Sequence, residues 1–450
     1  MQVPWRLFVA INLHPAQSEI YRALFIDRSV RYATVCCARG WGKSYKAAVA
    51  AISAIFELLE LPHNVPNKKV YIIAPTFDQV KDIYYPLINY DLGMEHYAIK
   101  ASRDTGRFLF PGNVELILLS FESVERMRGK GAYFVVWDEV SSCTKGITAE
   151  EAWQSVIQPT IATRWSNRRA KAVGAKSPGR ALAISTPKGY NFFHEMCMYH
   201  ETDPDWGFWQ YDYLQSPFLD PVEIEKLKDK LDPVTWASEY MASFAESGNS
   251  VFYCFDRKKH VDAHLQYFEP GEDVHVCIDF NVMRQCSSIF ALRGHQMQFI
   301  DEMQGHPDTE ALAIALKTKF QGHKIYAYPD PSGRARKTSA PVGRTDFSIL
   351  ESNGIICIAH RAAPPIVDSV AAVNRKLHTA SGKIDMYVHP RCSGTILSLE
   401  RTKWTDRNLD IATIDKSEGI EHFSDGVRYA VEYLYPIQTG GKRTSRGFNF

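Results

Sequence analysis

The segment Cys37–Ser44 carries the residue types that hold phosphate groups in proteins. It reads Cys-Ala-Arg-Gly-Trp-Gly-Lys-Ser and lies between an apolar run at residues 32–36 and an alanine-rich run at residues 46–52. The first run predicts a strand and the second a helix, whose first backbone N–H groups would cradle a phosphate. Lys43 would neutralise the phosphate and the Ser44 hydroxyl would bind Mg²⁺. The pattern predicts a phosphate-binding loop, with cysteine at position 37 where the strict pattern has glycine.

Two adjacent carboxylates follow another predicted strand. Residues 133–137 read Tyr-Phe-Val-Val-Trp and are followed by Asp138 and Glu139. A buried strand that delivers such a pair matches a Walker B element, in which the first carboxylate supports the Mg²⁺ of ATP and the second orients the attacking water. We therefore expect Asp138 to support Mg²⁺ and Glu139 to be catalytic. The alternative, a strand that ends in a solvated acidic turn, is weaker beside Lys43.

Further side chains complete the predicted nucleotide site. Gln17 would read the edge of an adenine base, or is an ordinary surface residue. Arg39, inside the loop, would act in catalysis on the γ-phosphate, or forms a structural salt bridge. Ser185 and Thr186 end an apolar run at the position where helicase-like motors sense the γ-phosphate and transmit its loss. The predicted nucleotide-binding residues are Gln17, Arg39, Gly40, Gly42, Lys43, Ser44 and Asp138, of which Ser44 and Asp138 are the predicted Mg²⁺ ligands.

Strands and helices that alternate along the first half of the chain must position these residues. Apolar runs at residues 70–74, 114–119, 133–137 and 182–185 are separated by segments with helical patterns. Such alternation is typical of an α/β domain with a parallel sheet. The first half is therefore predicted to be a single α/β domain that carries the loop and the carboxylate pair.

A second set of carboxylates lies in the second half of the chain. Asp279 and Asp330 each end a predicted strand, and Asp425 lies near the start of the last predicted helix, which Ser424 would cap. Two divalent ions that clamp an attacking water and a leaving oxygen need several hard oxygen ligands. We expect these three aspartates to be catalytic metal ligands. Glu302 is a further candidate ligand or a solvated strand end, and for His422 a surface or core role is favoured over orienting water.

The order of predicted elements in the second half indicates a ribonuclease H-like fold. Three hairpin-connected strands between residues 274 and 302 are followed by a helix at 309–320 and a fourth strand at 324–328. We expect an ATPase domain at 1–245, whose part at about 191–245 is a lid or linker. A linker at 246–270, a nuclease domain at 271–437 and a flexible basic tail at 438–450 would follow.

Composition indicates an ordinary globular protein. Of 450 residues 45% are hydrophobic and 23% are charged, and the formal net charge is +1. Affinity for nucleic acid must then come from local basic patches. The nine cysteines include no Cys-x-x-Cys pair, which fits a reduced protein without a zinc site. The start of the chain lacks a signal-like segment and no apolar run reaches membrane-spanning length, so we expect a soluble, cytoplasmic protein that is not secreted.

Two basic stretches are candidates for contact with DNA phosphates. Residues 164–180 contain six basic side chains and no acidic one, which fits a solvated loop as well as a loop that tracks DNA. The loop after Asp330 carries Arg334, Arg336, Lys337 and Arg344, and beside a metal cluster it would hold duplex DNA. The basic tail would contact DNA or another protein.

Taken together, these motifs resemble the large terminase subunit of tailed bacteriophages. The resemblance rests on Gln17, the loop at 37–44, Ala-Pro-Thr at 74–76, Val-Val-Trp-Asp-Glu at 135–139 and Ser-Thr-Pro at 185–187. It extends to Arg-Met-Arg-Gly-Lys-Gly at 126–131 and Ser-Pro-Phe-Leu-Asp-Pro at 216–221. In the second half it rests on strand-Asp, Asp-Pro-Ser-Gly and Ser-Asp-x-x-Arg-Tyr.

The resemblance implies an N-terminal P-loop ATPase domain of the ASCE type with a central parallel sheet, and a C-terminal ribonuclease H-like nuclease domain with a mixed sheet. It implies ATP with Mg²⁺ in the first domain and two Mg²⁺ or Mn²⁺ in the second. Double-stranded DNA, the portal protein of a procapsid and a small terminase subunit are the implied partners. A ring of five subunits on the portal, in the host cytoplasm and without membrane contact, is the implied assembly.

Two alternatives remain open at this point. A repair helicase–nuclease fusion would share both sets of carboxylates, although residues 191–244 leave little room for a second motor lobe. A packaging scaffold that keeps the fold with a degenerate ATP site is made conceivable by Cys37. Whether Arg39 would act in its own site or in that of a neighbouring subunit is also open.

Overall fold

The computed structural model describes residues 12–143, 145–245, 248–280, 285–335, 344–405, 413–417 and 419–437. These residues cluster into two compact units. One unit comprises the described residues of the ranges 1–225 and 236–246, and the other those of 226–235 and 247–450. The basic residues Arg336 and Lys337 and the predicted tail at 438–450 lie outside the described residues.

The first unit is built on one sheet, which has eight strands among the described residues. They are β1 (Tyr32–Cys37), β2 (Lys69–Ala74), β3 (Lys100–Ser102), β4 (Arg107–Phe110), β5 (Val114–Ser120), β6 (Phe134–Asp138), β7 (Arg180–Ser185) and β8 (Trp206–Tyr211). Their spatial order is β3-β4-β5-β2-β6-β7-β1-β8. All neighbours pair in parallel except β3–β4 and β4–β5, so the sheet is parallel with an antiparallel edge.

Helices cover this sheet. Up to residue 245 they are α1 (Pro15–Tyr21), α2 (Lys43–Leu59), α3 (Phe77–Gln79), α4 (Ala149–Glu151), α5 (Gln158–Arg164), α6 (Asn167–Ala172), α7 (Phe192–Met198), α8 (Pro221–Glu225) and α9 (Pro233–Glu239). Alanine is the strongest helix former, and the buried alanines of α2 have side chains small enough for close packing. Alternate residues of β6 belong to different apolar clusters, so the sheet is buried on both faces.

The second unit contains a mixed sheet with six strands among the described residues. They are β9 (Val274–Asp279), β10 (Gln285–Arg293), β11 (Gln296–His306), β12 (Ile325–Pro329), β13 (Ile356–Cys357) and β14 (Met386–Val388). Their order is β13-β12-β9-β10-β11-β14. The pairs β9–β10 and β10–β11 are antiparallel, whereas β12 pairs in parallel with β9 and β13, and β14 in parallel with β11.

The helices of this part are α10 (Arg257–His260), α11 (Thr309–Lys319), α12 (Asp346–Ser352), α13 (Ile366–Leu377), α14 (Ser393–Arg401) and α15 (His422–Leu434). The predicted fold class is confirmed, with a P-loop ATPase-like parallel sheet followed by a ribonuclease H-like mixed sheet. No helix among the described residues has both the length and the apolarity to cross a membrane.

Two local predictions are wrong. Arg180 begins β7 and is 1% exposed, with an ion pair to Glu57 and a hydrogen bond to the carbonyl of Leu24, so it belongs to the core and not to a DNA-contacting loop. Ser424, which the sequence suggests as the cap of the last helix, lies inside α15, and its hydroxyl donates to the carbonyl of Glu421. Both errors have the same cause, since the partners of Arg180 and Ser424 are groups inside the folded protein.

Candidate active sites

The loop between β1 and α2 has the backbone that a phosphate cradle requires. Gly40 and Gly42 have φ values of 75° and 92°, in the left-handed region that side chains disfavour. Gly42 is also the N-cap of α2. A Cβ atom at Gly42 would lie 2.8 Å from Gln17 Nε2, so only glycine leaves room for Gln17 there. The strand, loop and helix predicted around residues 37–44 are present.

Lys43 and Glu139 form an ion pair across the mouth of this loop. Lys43 Nζ lies 3.1 Å from Glu139 Oε1. Burial alone would lower the pKa of Lys43, but the negative charge of Glu139 and its hydrogen bond raise it above the ordinary lysine value. The Thr186 hydroxyl donates to Glu139 Oε2 at 3.4 Å. The predicted catalytic glutamate therefore contacts both the loop lysine and one of the predicted coupling residues.

Backbone geometry singles out Glu139 as well. Its φ of 50° places a residue with a long side chain in the left-handed region, which costs free energy and is tolerated where the surroundings fix it. The other predicted coupling residue, Ser185, accepts a hydrogen bond from the backbone N–H of Ser141 at 3.2 Å. The end of β7 is thus tied to the turn that follows the Asp138–Glu139 pair.

Asp138 is buried at the end of β6 and has a partner that the sequence did not reveal. Tyr84 donates its hydroxyl to Asp138 Oδ2 at 2.6 Å, and the backbone N–H of Glu139 donates to Oδ1 at 3.0 Å. Burial raises the pKa of the Asp138 carboxyl, the charge of Glu139 raises it further, and the Tyr84 hydrogen bond opposes both. Burial raises the pKa of the Tyr84 hydroxyl, and the neighbouring Ser44 hydroxyl opposes this rise.

Several buried polar atoms beside the loop lack a hydrogen-bond partner among the described residues. They are Gln17 Oε1, His14 Nδ1 and Trp41 Nε1. The Gln17 amide nitrogen donates to the carbonyl of Gly42 at 3.1 Å, which leaves its oxygen as a free acceptor next to the loop. Burying such an atom without a partner costs free energy, so these atoms suit a polar ligand. The exposed Phe218 ring lies against the same glycine.

Arg39 lies at the surface of the loop. Its backbone N–H donates to the carbonyl of Glu239 at 2.7 Å, and its Nη1 lies 3.9 Å from Glu239 Oε2. The side chain is 53% exposed, so the contact is loose and the guanidinium can be redirected. A structural salt bridge and a role towards phosphate thus both remain compatible with the position of Arg39.

Together these residues fit a nucleotide with Mg²⁺. The loop offers backbone N–H groups and Lys43 for phosphates, and an orphaned acceptor on Gln17 for a base. The Ser44 hydroxyl and the Asp138 carboxylate both neighbour Tyr84, and both are oxygen donors of the kind that Mg²⁺ prefers. Their roles as Mg²⁺ ligands stay a prediction.

In the second unit, Asp279 and Asp330 lie side by side. They follow the parallel neighbours β9 and β12, whose register places Pro329 opposite Ile278. The backbone N–H of Asp330 donates to the carbonyl of Ile278 at 3.1 Å, next to Asp279. The Asp330 side chain accepts from the N–H of Ser332 at 2.8 Å and so begins the turn that follows.

Asp425 approaches this edge from α15. A Cβ atom at Gly426 would lie 3.3 Å from the Cβ of Cys277, so the glycine allows α15 to pack closely on β9. Asp425 is 3% exposed and is neutralised by two cations. Arg428 donates to Oδ1 from Nη2 at 2.6 Å, and Lys416 donates to Oδ2 at 3.2 Å.

His422 belongs to the same cluster. Its Nδ1 lies 3.0 Å from Asp279 Oδ2, and this hydrogen bond raises the pKa of the imidazole. The sequence favoured a surface or core role, because one helical turn between His422 and Asp425 does not show which strand they face. Burial raises the pKa of the Tyr429 hydroxyl, Arg428 lowers it, and the negative charges of Asp330, Asp425 and Asp279 raise it further.

Two of the candidate metal ligands already have partners, since Lys416 and Arg428 contact Asp425 and a helix N-terminus contacts Glu302. Among the described residues, no three His, Cys, Asp or Glu side chains are arranged so that they could hold a metal ion together. Glu302, the further candidate ligand, accepts hydrogen bonds from the backbone N–H groups of Gly394 and Thr395, both at 2.9 Å. It therefore caps the N-terminus of α14. Oxygen donors for divalent ions are present, but metal binding would require Asp425 to exchange Lys416 for the ion.

Curated phage proteins are similar in sequence to more than half of this chain. No protein-family model matches the chain. The curated large terminase subunit of Escherichia phage T5 is 26% identical over 282 residues, which cover 60% of this chain and 57% of that protein. The large terminase subunit of Thermus phage G20c is 24% identical over 279 residues, covering 54% and 51%. The chain resembles phage large terminase subunits.

Solved terminase structures share the fold. The large terminase of a thermophilic bacteriophage, in complex with ATP-γ-S, aligns with a TM-score of 0.52 and 14% identity over 94% of this chain and 99% of that one. The likeness to this terminase covers both sheets, whereas the matched segment spans only about half the length of the curated relatives. The terminase resemblance inferred from the motifs is confirmed.

Proposed function

We propose that this chain is the ATPase and endonuclease of a phage DNA-packaging motor. ATP hydrolysis would drive double-stranded DNA into a procapsid, and a two-metal endonuclease would cut concatemeric DNA when packaging starts and ends. One observation carries the proposal. A single chain combines the Lys43–Glu139 pair beside Asp138 with a second sheet that presents Asp279 and Asp330 on neighbouring strands. The similarity to large terminase subunits supports it.

In the motor, each residue would have a separate task. Lys43 and the loop N–H groups would bind the phosphates, while Ser44 and Asp138 would hold Mg²⁺, which withdraws charge from the phosphoryl group. Glu139 would orient the attacking water after Lys43 has moved to the phosphate. Arg39 would leave Glu239 and contact the γ-phosphate. Thr186, through its hydrogen bond to Glu139, would transmit the change to the sheet.

In the nuclease, Asp279, Asp330 and Asp425 would hold two Mg²⁺ or Mn²⁺ ions, which activate water and stabilise the leaving oxygen. His422 would orient the carboxylate of Asp279 through its 3.0 Å contact. Arg428 would keep Asp425 facing β9 through its short hydrogen bond to Oδ1. Glu302 would support α14 as a helix cap and would not bind metal.

The proposed assembly follows from the terminase resemblance. We assign the motor to residues 1–245, with a lid or linker from about 191, of which residues 226–235 cluster with the second unit. The nuclease is assigned to residues 271–437, with a linker at 246–270 and a basic tail at 438–450. Five chains would form a ring on the portal of a procapsid, and a small terminase subunit would select the DNA. The work would take place in the host cytoplasm.

A triplex-displacement assay tests the motor. A labelled third strand is bound to duplex DNA, and its release is followed while the purified chain hydrolyses ATP. Wild type should release it with ATP only, and Lys43→Ala should not. Lys46→Met, which removes a lysine from the next turn of α2, is the matched control and should behave as wild type. Absence of ATP hydrolysis by folded wild-type protein with duplex DNA would refute the motor.

The same preparation separates the alternative functions. A repair helicase would unwind a forked duplex with ATP, whereas a packaging motor moves along duplex DNA without separating its strands. A scaffold with a degenerate site would bind nucleotide without turnover. Separation of the strands of the forked duplex at a rate that follows the rate of ATP hydrolysis would favour the helicase.

A further inference from the structure

Tyr84 connects the two residues that are expected to hold Mg²⁺. Its hydroxyl donates to Asp138 Oδ2 at 2.6 Å, and the neighbouring hydroxyl of Ser44 lowers its pKa against the effect of burial. Along the chain, Ser44 lies 40 positions before Tyr84 and Asp138 lies 54 positions after it. A single phenol thus bridges the phosphate loop and the end of β6.

The position of Tyr84 is fixed by its surroundings. The side chain is fully buried, and the residue ends a π-helical turn at Val80–Tyr84 that follows β2. π-Helical turns are rare and occur often at functional sites. Since β2 pairs with β6, the same scaffold holds both the phenol and the carboxylate.

The two oxygens of Asp138 each have one donor. Tyr84 occupies one side of Oδ2, and the backbone N–H of Glu139 occupies one side of Oδ1. A carboxylate oxygen can accept more than one hydrogen bond or ligand, so both retain capacity for an ion.

We propose that Tyr84 is a positioning residue that prepares Asp138 and Ser44 for the Mg²⁺ of the bound nucleotide. The inference rests on the proposed ATPase function. Partners that orient metal ligands in this way typically contribute 10-fold to 100-fold to metal affinity. Tyr84 would therefore set the Mg²⁺ requirement of the motor without contacting the phosphates.

The adjacent tyrosine provides a matched control. Tyr85 is also buried, but its ring packs on Phe108 with 5.1 Å between centroids. Tyr84→Phe and Tyr85→Phe remove the same atom from neighbouring residues. A general effect of losing a tyrosine hydroxyl from this segment would appear in both variants, whereas an effect on the metal ligands would appear in Tyr84→Phe alone.

The test measures binding of a fluorescent ADP analogue, first in EDTA and then with increasing Mg²⁺. In EDTA, Tyr84→Phe should bind within about twofold of wild type, because the loop and Lys43 are intact. The Mg²⁺ concentration at half-saturation should rise by about 10-fold or more in Tyr84→Phe and stay unchanged in Tyr85→Phe. Equal Mg²⁺ midpoints in the two variants would overturn the inference. Absence of nucleotide binding by wild type would instead overturn the proposed ATPase.

A spectroscopic readout avoids dependence on the folding of Tyr84→Phe. 3-Fluorotyrosine placed at position 84 keeps the hydroxyl, and its ¹⁹F resonance reports the surroundings of the ring. The resonance should shift when Mg²⁺ is added to the ADP complex, while the same label at position 85 should not. A signal at position 84 that ignores Mg²⁺ would count against the positioning role.

Discussion

Lys43 Nζ lies 3.1 Å from Glu139 Oε1, so the lysine that should bind phosphate is held by the glutamate that should orient water. In this pair, the charges of the buried Lys43 ammonium and of the Glu139 carboxylate neutralise each other. A nucleotide phosphate would compete with Glu139 for the same lysine. In the proposed motor, phosphate binding would therefore be linked to release of the Glu139 carboxylate, which also contacts Thr186.

Glu139→Gln should stop ATP turnover and preserve nucleotide binding. The amide cannot compete for Lys43 as strongly as the carboxylate, so the dissociation constant for ATP should stay equal or fall, while hydrolysis drops by at least about 100-fold. Phosphate release and binding of a fluorescent ATP analogue measure the two effects. Glu150→Gln, on an exposed glutamate, is the control. Weaker ATP binding by about 10-fold would argue that Glu139 supports binding instead.

Glu302→Gln should reduce stability and spare DNA cleavage. The carboxylate caps α14 through Gly394 and Thr395, and a cap contributes about 1 kcal/mol. The melting temperature of the second unit should fall, while plasmid cleavage with Mn²⁺ stays within a few-fold of wild type. Asp279→Asn serves as the comparison and should lose cleavage. Loss of cleavage in Glu302→Gln without any loss of stability would assign Glu302 to the metal site.

Lys46→Met should change how stability depends on pH. Lys46 is buried in α2, its Nζ lies 4.9 Å from the Tyr21 ring centroid, and burial lowers its pKa to about 7. In an unfolded chain a lysine titrates near pH ~10.4, so between these values the unfolded state binds more protons and folding becomes more favourable as pH rises. In this range the free energy of unfolding should rise by up to about 1.4 kcal/mol per pH unit.

Lys46→Met lacks this dependence of stability on pH. Its free energy of unfolding should therefore exceed that of wild type most below pH ~7, and the difference should shrink towards pH ~10. Denaturant midpoints followed by tryptophan fluorescence across this range provide the measurement. Lys100→Met removes an exposed lysine and should show no such trend. A constant difference between Lys46→Met and wild type across this range would mean that Lys46 titrates normally in the folded protein.

Local patterns sufficed to predict much of the fold and the strand ends that precede the candidate acids. The phosphate loop is contiguous, and Asp138, Asp279 and Asp330 follow apolar runs whose strand ends could be recognised. Tyr84 could not be found in this way, because a π-helical turn brings it to Asp138 across 54 positions. Its sequence neighbours are those of an amphipathic helix, which gave no signal for a role in the site.

Other residues were misjudged for a related reason. Arg180 stands at the end of a basic stretch, but its partner Glu57 lies in α2 and the pairing exists only after folding. Glu302 ends a run of strand residues, and only the packing of α14 reveals it as a cap. Charge and spacing in the sequence identify candidate functional residues. Which group each of these residues contacts depends on the tertiary structure.

The central claim is that one chain carries two independent active sites. ATP turnover and metal-dependent plasmid cleavage should be measured together in wild type, Lys43→Ala and Asp279→Ala. We predict that Lys43→Ala loses turnover and still cuts DNA with Mg²⁺ or Mn²⁺, while Asp279→Ala loses cutting and still turns over ATP. Wild-type protein that cuts no DNA with either metal, or folded variants in which both activities are lost together, would contradict the account.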